Sequence, residues 1–102
     1  MIHHLVLLKI RRDVPKKEVE KVFVELANLR KLIPGLLSFS GGPYSSPEGM
    51  NKGYTHGFAM TFADAKARDR YLPHPAHEQA KKLVLAVLEG GLEGVVAVDF
   101  ES

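Results

Sequence analysis

An α+β fold built on a four-stranded antiparallel sheet is what the hydrophobic pattern of this chain predicts. Apolar residues alternate in some segments and recur at i, i+3, i+4 and i+7 in others, in the order β-α-β-β-α-α-β. Pro and Gly punctuate the order at Pro34-Gly35, Pro73 and Gly90-Gly91. The first and last strands are apolar on both faces, so both sides of the sheet need a cover. Two β-α-β halves sharing an antiparallel sheet make the ferredoxin-like arrangement, with helices packed on one side. At 102 residues the chain is expected to form one domain, 1–102.

The first strand reads from Ile2 to Arg11. His4, Val6, Leu8 and Ile10 share one face; His3, Leu5 and Leu7 share the other. Helices can cover only one of these, and in a chain this small a second subunit is the expected cover for the other. Asp13-Val14-Pro15 opens the first helix, where proline's missing N–H costs nothing. Its core face is Val19, Val22, Phe23, Leu26, Leu29 and Ile33, and Pro34-Gly35 ends it. Leu36 to Gly41 is the second strand, with Leu37 and Phe39 on one face and Leu36 and Ser38 on the other. Residues 42–53 are rich in Gly, Pro, Ser and Asn. The loop is long for so small a domain, and it reads either as a functional segment or as an elaborated hairpin connection.

The third strand runs from Tyr54 to Phe62, with His56 in a row of large apolar residues. Asp64 is placed to cap a short helix ending near Tyr71. Pro75 suits the first position of a third helix capped by His74. Its apolar face is Ala76, Ala80, Leu83, Val84, Val87 and Leu88, and Glu78 and Lys82 are spaced as a surface pair. Val95 to Phe100 is the last strand, interrupted only by Asp99.

Composition narrows the function. A net charge of +2 gives no reason to invoke nucleic acid, and Glu18, Glu20 and Glu25 follow the cluster Arg11, Arg12, Lys16, Lys17 at once. That cluster reads as a solvated helix start. The absence of cysteine excludes disulfides, thiolate nucleophiles and Cys-based zinc sites. No signal-peptide pattern and no membrane-spanning apolar run is visible, so the expected location is cytoplasmic. Phosphate-loop, dinucleotide and nucleophile-elbow motifs are absent.

Chemistry concentrates at Tyr71-Leu72-Pro73-His74-Pro75-Ala76-His77. His77 falls in the first turn of a helix, whose positive dipole end disfavours imidazolium; neutral imidazole is what a general base needs. Tyr71 closes the preceding helix, within reach to steady an enolate oxygen. The competing reading is that His74 caps, His77 is a satisfied histidine and Tyr71 packs. His4 and His56 join the same pocket if their strands are neighbours; otherwise His56 is a core histidine. His74 and His77 have an i, i+3 spacing, but no carboxylate stands in a recognised metal spacing with them, and no metal is expected.

His4-Leu5-Val6-Leu7-Leu8-Lys9, Ile33-Pro34-Gly35, Ser46-Pro47-Glu48-Gly49, Asn51-Lys52-Gly53-Tyr54-Thr55-His56, Tyr71 through His77 and Val98-Asp99-Phe100 together resemble the stress-responsive dimeric α/β-barrel (Dabb) family. The resemblance runs the length of the chain. It implies a homodimer whose two sheets pack face to face as a barrel. Leu5, Leu7 and Leu36 then face the barrel interior, and His4, Val6, Leu37, Phe39, His56 and Phe58 face the subunit's own helices. Most members of the family have no assigned activity. Similarity to its olivetolic acid cyclase-type polyketide cyclases implies a cofactor-free site in which His77 removes a C–H proton and Tyr71 holds the enolate. His4 and His56 support that pocket, and Val6, Phe23, Phe39 and Phe58 line it. Leu26 and Ala80 stand where those cyclases carry large aromatics, and the Gly90–Gly94 segment is longer, so the cyclases' long-chain aromatic-precursor substrate is not expected here; a small carbonyl compound is the expected substrate class. The alternative implied function is a non-catalytic, ligand-binding or stress-protective homodimer.

Overall fold

The computed structural model describes residues 1–102. Its elements are β1 (Ile2–Leu8), α1 (Lys16–Leu32), β2 (Leu36–Pro43), β3 (His56–Phe62), α2 (Ala65–Tyr71), α3 (Pro75–Val87), a 3-10 turn at Gly91–Gly94, and β4 (Val95–Glu101). The sheet order is β2-β3-β1-β4, antiparallel throughout. This is the ferredoxin-like α+β fold.

Alternation along β1 buries Ile2, His4, Val6 and Leu8 beneath the helices. Met60 and Phe62 of β3 and Val19, Val22, Leu26 and Leu29 of α1 complete that core. The other sheet face carries no helix. Leu5, Leu7, Val96, Val98 and Phe100 stand exposed there, Val98 at 53% and Phe100 at 48%.

Several boundaries differ from the sequence expectation. Pairing of β1 stops at Leu8, and Ile10 makes only an isolated bridge to Leu88. β3 begins at His56 and not at Tyr54, whose ring lies beneath the Lys9 ammonium, 4.8 Å from the ring centre. In β2 the register shifts between Leu36 and Ser38. This bulge inverts the expected faces: Leu36 lies opposite Phe62 and is buried under the helices, and Leu37 is exposed at 49%. The loop between β2 and β3 is held by its own hydrogen bonds, among them Gly49 N–H to the Tyr44 hydroxyl (2.9 Å) and Asn51 Nδ2 to the Tyr54 carbonyl (2.8 Å).

Helix ends follow local chemistry. Pro15 occupies the N-cap of α1 without a side-chain cap, and Asp13 instead accepts from Arg11 Nε at 3.0 Å. Asp64 caps α2 by accepting from the Ala67 N–H at 2.8 Å. His74 caps α3, with Pro75 in its first turn. Leu83 is exposed and is not part of the core face of α3. Glu78 pairs with Lys81, at 3.3 Å, in place of Lys82.

Gly35 joins α1 to the sheet at a φ of +85°, and a Cβ there would come within 2.5 Å of the Ala67 Cβ. Both left-handed strain and overlap with α2 therefore oppose any side chain. Gly35→Ala is expected to lose about 2 kcal/mol or more of stability, and Asp64→Ala about 1 kcal/mol. Urea unfolding of the two variants beside the parent measures both.

Candidate active site

Tyr71 is the last residue of α2 and His77 lies in the first turn of α3. The tight joint between the helices stacks their rings, with centres 4.1 Å apart and planes 28° from parallel. His77 Nδ1 lies 2.9 Å from the Leu72 carbonyl oxygen, which can only accept, so the neutral ring carries its proton on Nδ1. Its Nε2 is left as a bare base. His74 shows the opposite tautomer: its Nδ1 accepts from the Ala76 N–H at 3.0 Å, which places the proton on Nε2.

Burial lowers the His77 pKa, partly opposed by the hydrogen bond to Leu72 and reinforced by the nearby Lys81 charge. The direction agrees with the helix-start argument, but desolvation is the main cause. Tyr71 is 1% exposed. Burial, helped by the Asp99 charge, raises its pKa, so it remains a neutral phenol. No sealed polar side-chain atom lacks a partner. The Tyr71 hydroxyl has no partner within the chain, so it opens onto the adjoining cavity.

His4 belongs to the same group. Its ring centre is 5.9 Å from that of Tyr71. Antiparallel pairing sets Asp99 of β4 opposite it, and His4 Nδ1 donates to Asp99 Oδ1 at 2.6 Å. Arg68 of α2 donates from Nη1 to the second oxygen, Oδ2, at 2.9 Å. Burial pushes the Asp99 carboxyl up, but the His4 and Arg68 hydrogen bonds outweigh it and hold the group below the ordinary value. An ionised Asp99 thus fixes the His4 ring and leaves its Nε2 free.

A cavity of about 290 Å³ lies between sheet and helices. His4, Val6, Phe58, Tyr71 and His77 line it, with Lys81 as its one ammonium. Three residues expected in that pocket are elsewhere. His56 pairs with Leu8 while His4 pairs with Met60, so the two histidines sit about 13 Å apart along the strands. His56 and Phe23 line a second cavity, and their ring centres are 5.7 Å apart. Phe39 lines neither cavity and packs against Phe23 and Phe58, with ring centres at 6.4 and 5.6 Å. Sharing a face did not place His4 and His56 in one pocket, because Phe58 stands between them along the strand.

Asp99, Arg68 and Lys81 are the residues that pattern reasoning missed. Asp99 had a visible signal, as the one charged interruption of an apolar strand that the topology places beside β1. No three His, Asp or Glu side chains gather in a metal-ligating cluster. No helix is long and apolar enough to cross a membrane.

A ferredoxin-like domain with a His/Tyr cavity between sheet and helices is the class these features define. Residues 2–102 match the Stress responsive A/B Barrel Domain (Dabb) family, and the chain belongs to it. It is 31% identical to the stress-response A/B barrel domain-containing protein HS1 of Arabidopsis thaliana, over 98% of this chain and 88% of that one. It is 29% identical to olivetolic acid cyclase of Cannabis sativa, over 74% of this chain and 75% of the cyclase. A dimeric ferredoxin-like protein of unknown function from Jannaschia superposes with a TM-score of 0.89 at 32% identity, covering 99% of this chain and 98% of the other.

His77 titrates below its ordinary value of 6.5. Just below that pH the folded protein therefore binds fewer protons than the unfolded chain. The stability His77 contributes is present above pH 6.5 and is lost as the pH falls toward its folded value. His56, lowered by burial, acts in the same direction. NMR titration should place the His77 midpoint below 6.5, and Lys81→Met should raise it by removing a nearby positive charge.

Proposed function

We propose that the chain is a homodimeric, cofactor-free proton-transfer protein of the cyclase or isomerase kind, acting on a small carbonyl compound. The observation that carries this reading is the Tyr71–His77 stack, which sets a bare, neutral imidazole nitrogen beside a neutral phenol in one cavity. His77 Nε2 takes a proton from the carbon next to a carbonyl. The C–H electron pair moves into the carbonyl as an enolate, and the Tyr71 hydroxyl donates a hydrogen bond to the developing oxyanion. Return of the proton to a different carbon completes an isomerisation. Attack of the enolate carbon on a second carbonyl of the same molecule forms a C–C bond and an alkoxide, and return of the His77 proton to that alkoxide completes an aldol closure. His4, held by Asp99, presents a second nitrogen to the same space. Kinship with a cyclase supports the reaction class, and the 290 Å³ cavity suits a compact substrate.

The homodimer rests on the helix-free sheet face. Leu5, Leu7, Val96, Val98 and Phe100 make a contiguous apolar surface there, of the kind that marks an interaction site. A second copy supplies a matching face, and the Jannaschia relative is dimeric.

Deuterium exchange into a 1,3-dicarbonyl compound, followed by proton NMR, tests the chemistry. The parent should accelerate exchange, His77→Ala should lose roughly 100-fold or more, and Tyr71→Phe roughly 10- to 100-fold. Ligand binding without any acceleration would instead assign a binding module. For assembly, size-exclusion chromatography with light scattering should give a dimer, and Leu7→Asp with Val98→Asp should give a monomer. A monomeric parent would overturn the dimer.

A further inference from the structure

A second cavity, of about 670 Å³, opens beside the start of α1, between the segment that follows β1 and the ends of β2 and β3. Its apolar floor is Val14, Val19 and Phe23. Gly41 makes that floor possible. A Cβ there would lie 2.8 Å from Phe23 Cε2 and 2.7 Å from the Phe58 Cβ, so only glycine lets the Phe23 ring lie against β2. His56 is half-buried in the wall. Its Nδ1 is 2.8 Å from the Thr55 hydroxyl, and its Nε2 has no partner.

The rim is charged. Arg11 is already committed, with Nε on Asp13 at 3.0 Å and Nη1 donating to the Ala86 carbonyl at 2.6 Å. Arg12 and Lys16 also line the cavity and form no ion pair. Set against them is Glu20, equally unpaired, so the rim keeps one positive charge in excess. One surplus charge above an aromatic and aliphatic floor complements a monoanion with an apolar body. It does not complement nucleic acid, which needs an extended basic track and would meet Glu18 and Glu25 on the same helix.

We propose that this second cavity binds a small amphipathic carboxylate, with its charge at Arg12 and Lys16 and its apolar body on Val14, Val19 and Phe23. The volume falls within the range of small-molecule sites. The site shares neither Tyr71 nor His77 with the first cavity, so it stands or falls separately from the proton-transfer reading.

Titration of the full-length chain with decanoate, followed by two-dimensional 15N–1H NMR, tests the assignment. Decan-1-ol serves as the neutral control and inorganic phosphate as the non-apolar anion. Decanoate should shift the amides of Arg12, Lys16, Phe23 and His56, and should bind roughly fivefold or more tightly than either control. The double variant Arg12→Gln/Lys16→Gln should weaken decanoate roughly fivefold and leave decan-1-ol unchanged, with its undisturbed spectrum showing that the fold is kept. His77→Ala should bind decanoate as the parent does. The site is overturned if decanoate fails to bind, if decan-1-ol or phosphate binds equally well, or if the shifts fall on Tyr71 and His77. A double variant that binds like the parent overturns it too.

Discussion

The central strand β1 is hydrogen-bonded along both edges and carries apolar side chains on both faces, and this double constraint organises the molecule. With a side-chain period of two, a slip of one residue would turn His4, Val6 and Leu8 outward and Leu5 and Leu7 inward. The register that builds the core is therefore the register that builds the site. Asp99 reinforces it. Its carboxylate finds His4 and Arg68 only when β4 lies at the observed register beside β1. A slip would remove those hydrogen bonds from a partly buried charge, which is costly.

The joint between α2 and α3 converts this register into a site. Pro73 cannot continue a helix, and Pro75 starts one with no N–H to satisfy. Two histidines three residues apart then divide the work. His74 uses its Nδ1 lone pair on a backbone N–H, as a cap. His77 uses its Nδ1 proton on a backbone carbonyl and keeps the other lone pair free. Tyr71, packed between Phe62 and His77 with ring centres at 4.9 and 4.1 Å, has no room to swing away.

Element order, the caps at Asp64 and His74, and the two faces of β1 were legible because each depends on residues near in sequence. The bulge at Leu37 was not, since it is a property of pairing with β3 and leaves no mark on an alternating pattern. The Asp99–His4 bond needed a cross-strand register. The separation of His56 from His4 needed a length along the sheet as well as a shared face. The same alternation that grouped the two histidines correctly by side said nothing about the Phe58 ring between them. Phe23 was legible as a core residue of α1, but the close approach of its ring to β2 depends on Gly41, on another element altogether.

Burial separates what the two cavities are suited to do. In the first, the polar groups are held before any ligand arrives: His77 by a backbone carbonyl, His4 by a carboxylate that Arg68 itself holds. Folding has already met the cost of ordering and desolvating them, which is the condition for stabilising a charge that develops only during reaction. In the second, the free cations, Arg12 and Lys16, are the ends of long side chains at the rim, in no ion pair that would fix their direction. Such groups can follow an anion that is already charged, but they cannot hold a fixed geometry against a transition state. The aromatic layer of Phe23, Phe39 and Phe58 lies where the two spaces approach one another, so a buried, preset pair of rings and an open, adaptable rim coexist on one small sheet.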